Sequence, residues 1–401
     1  MNSLVTSANK TRAFFTVYLK EVRENLRDRR TIMTALITGP LLAPLLFVMM
    51  LNIGLSRELD KAEKTLTVPV IGKEYAPNLF ESLRAGGVLA GPAIADPEQA
   101  VRKQEADAVI RIAPDYPNAW RKGEPVQVEV IYDSSQRDAN TTVERINGLI
   151  ESYARQQGAM RLVSRGLSPS TAWPVTVARR DQATAQARGV LIFGLLPYFF
   201  VITMFMGGMY LAIDLTAGER ERQSLEPLFA NPVARWKIFA GKLAAICTFS
   251  ATSLLISLIA FSIVGRMLPI EKLGMELELG VRFALTVLVM AIPLIVLLAA
   301  LQSMVAAFAK SYREAQTYLS LLLLVPALPS VLLMAMPVKP QDWMYAVPLL
   351  GQHLGVMQVL RGDGVTMHQM LFCLGGSALA ALVAVLATAQ LYRSERLAIS
   401  G

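Results

Sequence analysis

The sequence predicts an α-helical polytopic membrane protein, with six transmembrane helices and an α/β extracytoplasmic domain inserted between helices 1 and 2. Three observations lead there. Hydrophobic residues make up 53% of the 401-residue chain and charged residues 17%. The apolar residues gather in runs longer than the roughly 18 uncharged residues that a helix rising ~1.5 Å per residue needs to cross a ~30 Å hydrocarbon core. A long stretch of mixed strand and helix pattern separates the first two runs.

Residues 1–30 read as a cytoplasmic interfacial amphipathic helix. Phe15, Tyr18, Leu19, Val22 and Leu26 recur at helical spacing, with Lys20, Arg23, Glu24 and Arg27 on the other faces. Such a helix lies among headgroups, apolar stripe down. It is not a secretory signal, because a charge-rich stretch precedes the first apolar run and no small-residue cleavage site follows it.

Six nearly charge-free stretches follow as spans: Thr31–Ile53, Gly189–Ile213, Leu243–Val264, Phe283–Phe308, Thr317–Met336 and Gln369–Leu391. Irregular backbone in lipid would leave costly unpaired amides, so each is expected to be helical. Pro40, Pro44, Pro197, Pro293 and Pro326 remove helical donors, which predicts kinks or breaks.

Residues 54–188 form the inserted domain. Leu66–Gly72, Ala108–Ile112 and Val126–Tyr132 read as strands and Trp173–Ala178 as a returning one, while Leu79–Leu83 and Thr141–Val163 carry helical spacing. The carboxylates Glu98, Glu105, Asp107, Asp115, Glu124, Asp133 and Asp138 are scattered as on a solvated face, and no Gly-x-Ser-x-Gly elbow accompanies Ser134, Ser135 or Ser168. An enzyme is therefore not expected there.

Between the second and third spans, residues 214–242 make a charged loop, and residues 243–391 hold helices 3–6. Within them, residues 337–368 form an outward, re-entrant-like segment with Trp343 and Tyr345 suited to an interface. Residues 392–401 are a cytoplasmic tail. Lys and Arg crowd the stretch before the first span, the 214–242 loop, Lys310 with Arg313, and Arg393 with Arg396, so the positive-inside rule places both termini in the cytoplasm.

The same bias accounts for the net charge of +8 without nucleic acid. Cys247 and Cys373 fall within spans, without metal-ligand spacing. His353 and His368, lacking clustered carboxylates, read as polar surface groups. No cofactor or metal site is expected in this chain. Gly241-Lys242-Leu243 lacks the earlier glycine and the hydroxyl of a phosphate-cradling Walker A loop, so ATP hydrolysis by the chain itself is excluded.

The charged loop is the most distinctive feature. Thr216 followed by Glu219 spells a capping box, Leu225, Leu228 and Phe229 would form an apolar ridge flanked by Glu221, Arg222 and Glu226, and Asn231-Pro232 would end the helix. The stretch Gly218-Glu-Arg-Glu-Arg-Gln-Ser-Leu-Glu-Pro-Leu-Phe-Ala-Asn-Pro-Val-Ala-Arg235, with Gly241-Lys242 after it, resembles the loop between spans two and three of type 2 ABC exporter permeases. The subgroup it is most similar to is the membrane subunit of bacterial sodium-efflux ABC systems.

That resemblance implies a permease subunit in the bacterial cytoplasmic membrane, with ATP and magnesium bound by a separate ATP-binding partner present in two copies. A second permease copy is expected, as homodimer or related heterodimer. The contact with the ATPase subunit is implied to use Glu219, Arg220, Glu221, Arg222, Ser224, Leu225, Glu226, Leu228, Phe229 and Pro232, with Ala309–Ala315, Arg313 among them, as a smaller contact. The cargo stays open between sodium and a lipid-like or amphipathic drug. Polar side chains available to line a path are Thr203, Ser253, Ser257, Thr286, Gln302, Ser303 and Ser320. The competing classes are a secondary transporter, disfavoured by the missing buried charge, and a non-transporting membrane sensor with a ligand-binding ectodomain.

Overall fold

The structure is a computed structural model describing residues 2–49, 51, 65–172, 180, 182–224, 227, 233–268, 275–335 and 339–393. It divides into two compact units, one of residues Met1–Asn52 with Asp181–Gly401 and one of residues Ile53–Arg180.

The first unit is helical. Among the described residues, five helices are long and apolar enough to cross a membrane: Arg29–Met49, Leu196–Glu221, Arg235–Met267, Val281–Phe308 and Met367–Tyr392. Here they are called spans one to five. Asp28 opens the first, its carboxylate accepting from Arg30 N at 3.0 Å and Thr31 N at 3.3 Å. Pro40 then widens Ile32–Thr38 to π-helical turns. The second span starts after a break at Gly194-Leu195, with Pro197 in its first turn where a missing N–H costs nothing. The expected run Gly189–Ile213 is thus two helices, Ala185–Phe193 and the span proper.

The expected span Thr317–Met336 is not continuous either. It is replaced by an 11-residue helix Tyr312–Leu322, a single 3-10 turn Val325–Ala327 and the helix Leu328–Ala335. Pro326 and Pro329 cannot donate to the carbonyls a turn behind them, so the helical ladder fails there. The segment after it folds into the short helices Asp342–Tyr345 and Leu350–Leu360. Gln352 holds the turn between them, its side chain accepting from Leu349 N at 2.8 Å and donating to Ser377 Oγ at 2.7 Å. His353 is buried in that helix rather than at the surface, whereas His368 is exposed. A Cβ on Gly376 would collide with the Ala346 carbonyl oxygen, so that glycine serves close packing within one chain.

The bundle is filled by large apolar side chains. Phe47, Phe193, Phe200, Phe261 and Phe283 are all buried, with Phe261 5.8 Å from Phe47 and 5.5 Å from Phe200 between ring centroids. Met204, Phe205 and Met209 are buried as packing.

The second unit is α/β. Strands β1 (Leu66–Ile71), β2 (Val88–Gly91), β3 (Ala108–Ile112) and β4 (Val128–Tyr132) pair in the order β2-β1-β3-β4. β1 is parallel to β2 and to β3, and β4 is antiparallel to β3. Val68, Val70, Ile110 and Ile112 present one face to Leu79, Phe80 and Leu83 of the helix Pro77–Ala85 and to Val143 and Ile146 of the helix Arg137–Ser164. Three elements here were not anticipated: β2, the helix Pro97–Arg102 capped by Asp96 on Gln99 N at 2.9 Å, and the helix Tyr116–Lys122. The expected strand Trp173–Ala178 lies outside the described residues.

Candidate functional site: the junction at the end of the second span

The second span does not stop at Ile213. It continues through π-helical turns at Asp214–Gly218, whose Leu215, Thr216, Ala217 and Gly218 are buried, and ends in Glu219–Glu221. Thr216 sits inside this helix, its hydroxyl donating back to the Ala212 carbonyl at 2.6 Å. The expected capping box with Glu219 is therefore not formed, because no helix begins there.

Glu219 instead pairs with Lys242 of the third span. Lys242 is 2% exposed and Glu219 8%. The ammonium donates to the Glu219 carboxylate and, at 3.0 Å, to the Leu215 carbonyl. Burying two charges is tolerable only when they meet each other and satisfy their remaining hydrogen bonds. This pair locks the exit of span two to the entrance of span three.

A second carboxylate, Glu21, faces the same cluster from the helix Asn2–Arg27 and is 2% exposed. Lys20 bonds it at 3.3 Å. Burial raises its carboxyl above the ordinary range, opposed by the fields of Lys242 and Lys20 and reinforced by Glu219. The helix docks on the third span at Gly241, where an added Cβ would come within 2.9 Å of Val17. Tyr18 reaches Thr248 at 3.1 Å. Phe15, Leu19 and Leu26 of its apolar stripe stay exposed.

The end of span two is also tied to the segment after span four. Glu221 accepts from Tyr312 N at 2.7 Å, 91 residues away, which places a carboxylate at the start of the helix Tyr312–Leu322. Arg220 donates to the Ala309 carbonyl at 3.4 Å. Arg222 turns back to Asp214 at 2.8 Å, and Ser224 donates to the Glu219 carbonyl at 3.1 Å. Ser311 caps the helix on Glu314 N, while Glu314 accepts from Tyr318 at 2.6 Å and from Lys310 N at 2.7 Å. Those bonds, the tyrosine hydroxyl first, hold the Glu314 carboxyl below its ordinary range.

The described parts of the two sequence segments singled out as contacts thus meet. Glu219, Arg220, Glu221, Arg222 and Ser224 are gathered with 309–314, and Arg313 is exposed beside them. Leu225, Glu226, Leu228, Phe229 and Pro232 lie outside the described residues. Sequence reading missed Glu21 and the role of Lys242. A signal existed: Gly241 beside a lysine at the head of an apolar run marks a close helix crossing that can shelter a charge.

Deeper in the bundle, Thr203, Ser253, Ser257, Gln302 and Ser303 are buried, whereas Thr286 and Ser320 bond back to their own helices. Gln302 donates to the Phe205 carbonyl at 2.8 Å, and its Oε1 has no partner among the described residues. Among the described residues no group of three His, Cys, Asp or Glu side chains is placed to hold a metal ion.

Comparison with known proteins agrees with this architecture. The family described as ABC-2 family transporter protein matches residues 29–387. Over 352 residues the chain is 26% identical to the ABC transporter permease protein NatB of Bacillus subtilis (strain 168), covering 86% of this chain and 89% of that one. No solved structure matches the chain.

Proposed function

We propose, from the premise that the chain belongs to the ABC-2 family of transporter proteins, that it is the permease subunit of an ATP-driven exporter. The observation that carries the reading is the junction in which Lys242, Glu219, Glu221 and Tyr312 bind spans two and three and the post-span-four helix into one unit. A separate ATP-binding subunit seated on this surface would push on several spans at once. ATP-driven closure of that partner can reorient the spans only if the closed form binds one membrane conformation better than the other, and a rigid junction transmits that preference.

Two ATP-binding subunits and a second permease copy complete the assembly, with ATP and magnesium held by the former. Leu225, Leu228 and Phe229 would supply the apolar ridge that enters the partner's groove, so that the segment acts as a coupling helix. The membrane is the bacterial cytoplasmic membrane, with both termini cytoplasmic as the Lys and Arg distribution requires. Sodium is the cargo we favour, because the buried hydroxyls of Thr203, Ser253 and Ser257 and the open Oε1 of Gln302 are hard oxygen ligands.

Co-purification with the ATP-binding subunit, followed by reconstitution in liposomes, tests this. The parent complex is expected to move radiolabelled sodium with ATP, and Leu228→Asp to release the partner. A variant that kept the partner and full efflux, or an isolated chain that hydrolysed ATP, would overturn the proposal. ATPase stimulation by amphipathic drugs without sodium flux would assign an apolar cargo instead.

A further inference from the structure

We infer that the crevice at the carboxyl ends of β1 and β3 is a binding site for a small organic cation carrying an ammonium group. The topology creates it. From β1 the chain crosses through the helix Pro77–Ala85 to β2 on one side, then through the helix Pro97–Arg102 to β3 on the other. The connection out of β1 runs to β2 on one side and the connection out of β3, through the helix Tyr116–Lys122, runs to β4 on the other, so the strand ends between β1 and β3 splay apart, and in open α/β sheets that switch point is where ligands sit.

A cavity of about 400 Å³ opens there, lined by Ile71, Gly72, Tyr75, Arg111, Pro114 and Glu129 among others. That volume suits a small molecule. Gly72 turns the chain at φ +80°, and a Cβ on it would collide with the Ile112 carbonyl oxygen and sit 2.8 Å from Tyr75 Cδ2. Only glycine allows that turn, and it stands Tyr75 at the wall of the crevice.

Charge selects the class of ligand. Arg111 is the one cationic side chain lining the cavity, and it is already held by Glu98 at 2.5 Å and Glu129 at 3.2 Å. A guanidinium so occupied is not offered to a phosphate or carboxylate. Glu74 stands exposed at the mouth and makes no ion pair among the described residues, and only one oxygen of Glu129 is engaged by Arg111. The surplus is anionic. No glycine-rich turn leads into a helix N-terminus here, since a 3-10 turn, Lys73–Tyr75, and Pro77 intervene. An ammonium therefore meets Glu74 and Glu129, with its carbon body against Ile71, Pro114 and the Tyr75 ring.

The inference stands apart from the export reading, because binding is measured without transport. The full-length protein in nanodiscs is titrated calorimetrically with 1,4-diaminobutane, with choline and with succinate. Saturable binding of at least one of the two ammonium compounds and none of succinate is expected. Glu74→Gln, at an exposed position that leaves the fold intact, is expected to weaken binding about tenfold, as loss of a charged hydrogen-bond partner does. Gly72→Val, checked for folding by circular dichroism, is expected to abolish it. Absence of saturable binding by either ammonium compound, binding of succinate at equal strength, or unchanged affinity in Glu74→Gln would overturn the assignment.

Discussion

The Ser253 hydroxyl lies 3.0 Å from the carbonyl oxygen of Ala35, joining spans three and one across 218 residues of sequence. The reason is local. Gly39 N–H bonds Thr34 in the π-helical turn, and Pro40, the next donor position, has no N–H. The Ala35 carbonyl is left without a partner in its own helix, and Ser253, also 3.1 Å from the Thr203 carbonyl, supplies one from outside.

Ser253→Ala is expected to cost about 1–3 kcal/mol, the penalty of a buried acceptor left unpaired. Thermal unfolding in detergent measures it. In a Pro40→Ala background, where the helix regains its own donor, the same substitution is expected to cost less. Equal costs in both backgrounds would show that the proline does not create the vacancy.

Lys242→Met is expected to destabilise the protein by about 3–5 kcal/mol, because it strands Glu219 in a buried site and removes the larger of the two positive fields acting on Glu21. Adding Glu219→Gln is expected to recover part of the loss. The check is a double-mutant cycle on melting temperature, and strict additivity would refute direct pairing.

Glu21 adds a pH dependence with a definite sign. Its folded-state carboxyl is raised, mainly by burial, so the folded chain holds the proton more tightly than the unfolded chain. That contribution is full below the ordinary carboxylate value of about 4.3 and is lost as pH rises through the raised folded value. Melting of the parent relative to Glu21→Gln is therefore expected to fall as pH rises from about 4.3 toward neutrality. A difference that grows with pH would mean the ionised form is the favoured one.

Gly376→Val is expected to destabilise the single chain, since its first side-chain carbon meets the Ala346 carbonyl oxygen. Overpacking of this kind costs about 1–3 kcal/mol. Size-exclusion chromatography of the variant separates this outcome from a dimer seam: lower stability at unchanged assembly size is expected.

Much of the architecture was legible because its signals are local. The apolar runs that became spans one, three, four and five are sums of side-chain transfer along a few turns, and β1, β3 and β4 show as short runs rich in Val and Ile within five or six residues. Asp96-Pro97 and the Gly86-Gly87 turn mark two of the three unanticipated elements of the inserted domain, the helix Pro97–Arg102 and β2, so those carry readable signals. The break at Pro326 was foreseen as a kink, but not that it would divide the run into three pieces.

What the sequence determined by itself is therefore the apolar segments, the α/β insertion and the charged loop that marks the family. Only the tertiary structure decided that Lys242 turns toward Glu219, that Glu221 reaches Tyr312 and that Glu21 is buried against the third span. Each depends on how helices far apart in sequence are rotated and how closely they pack. A buried charge is tolerated only where such packing delivers its partner, and no local pattern encodes that.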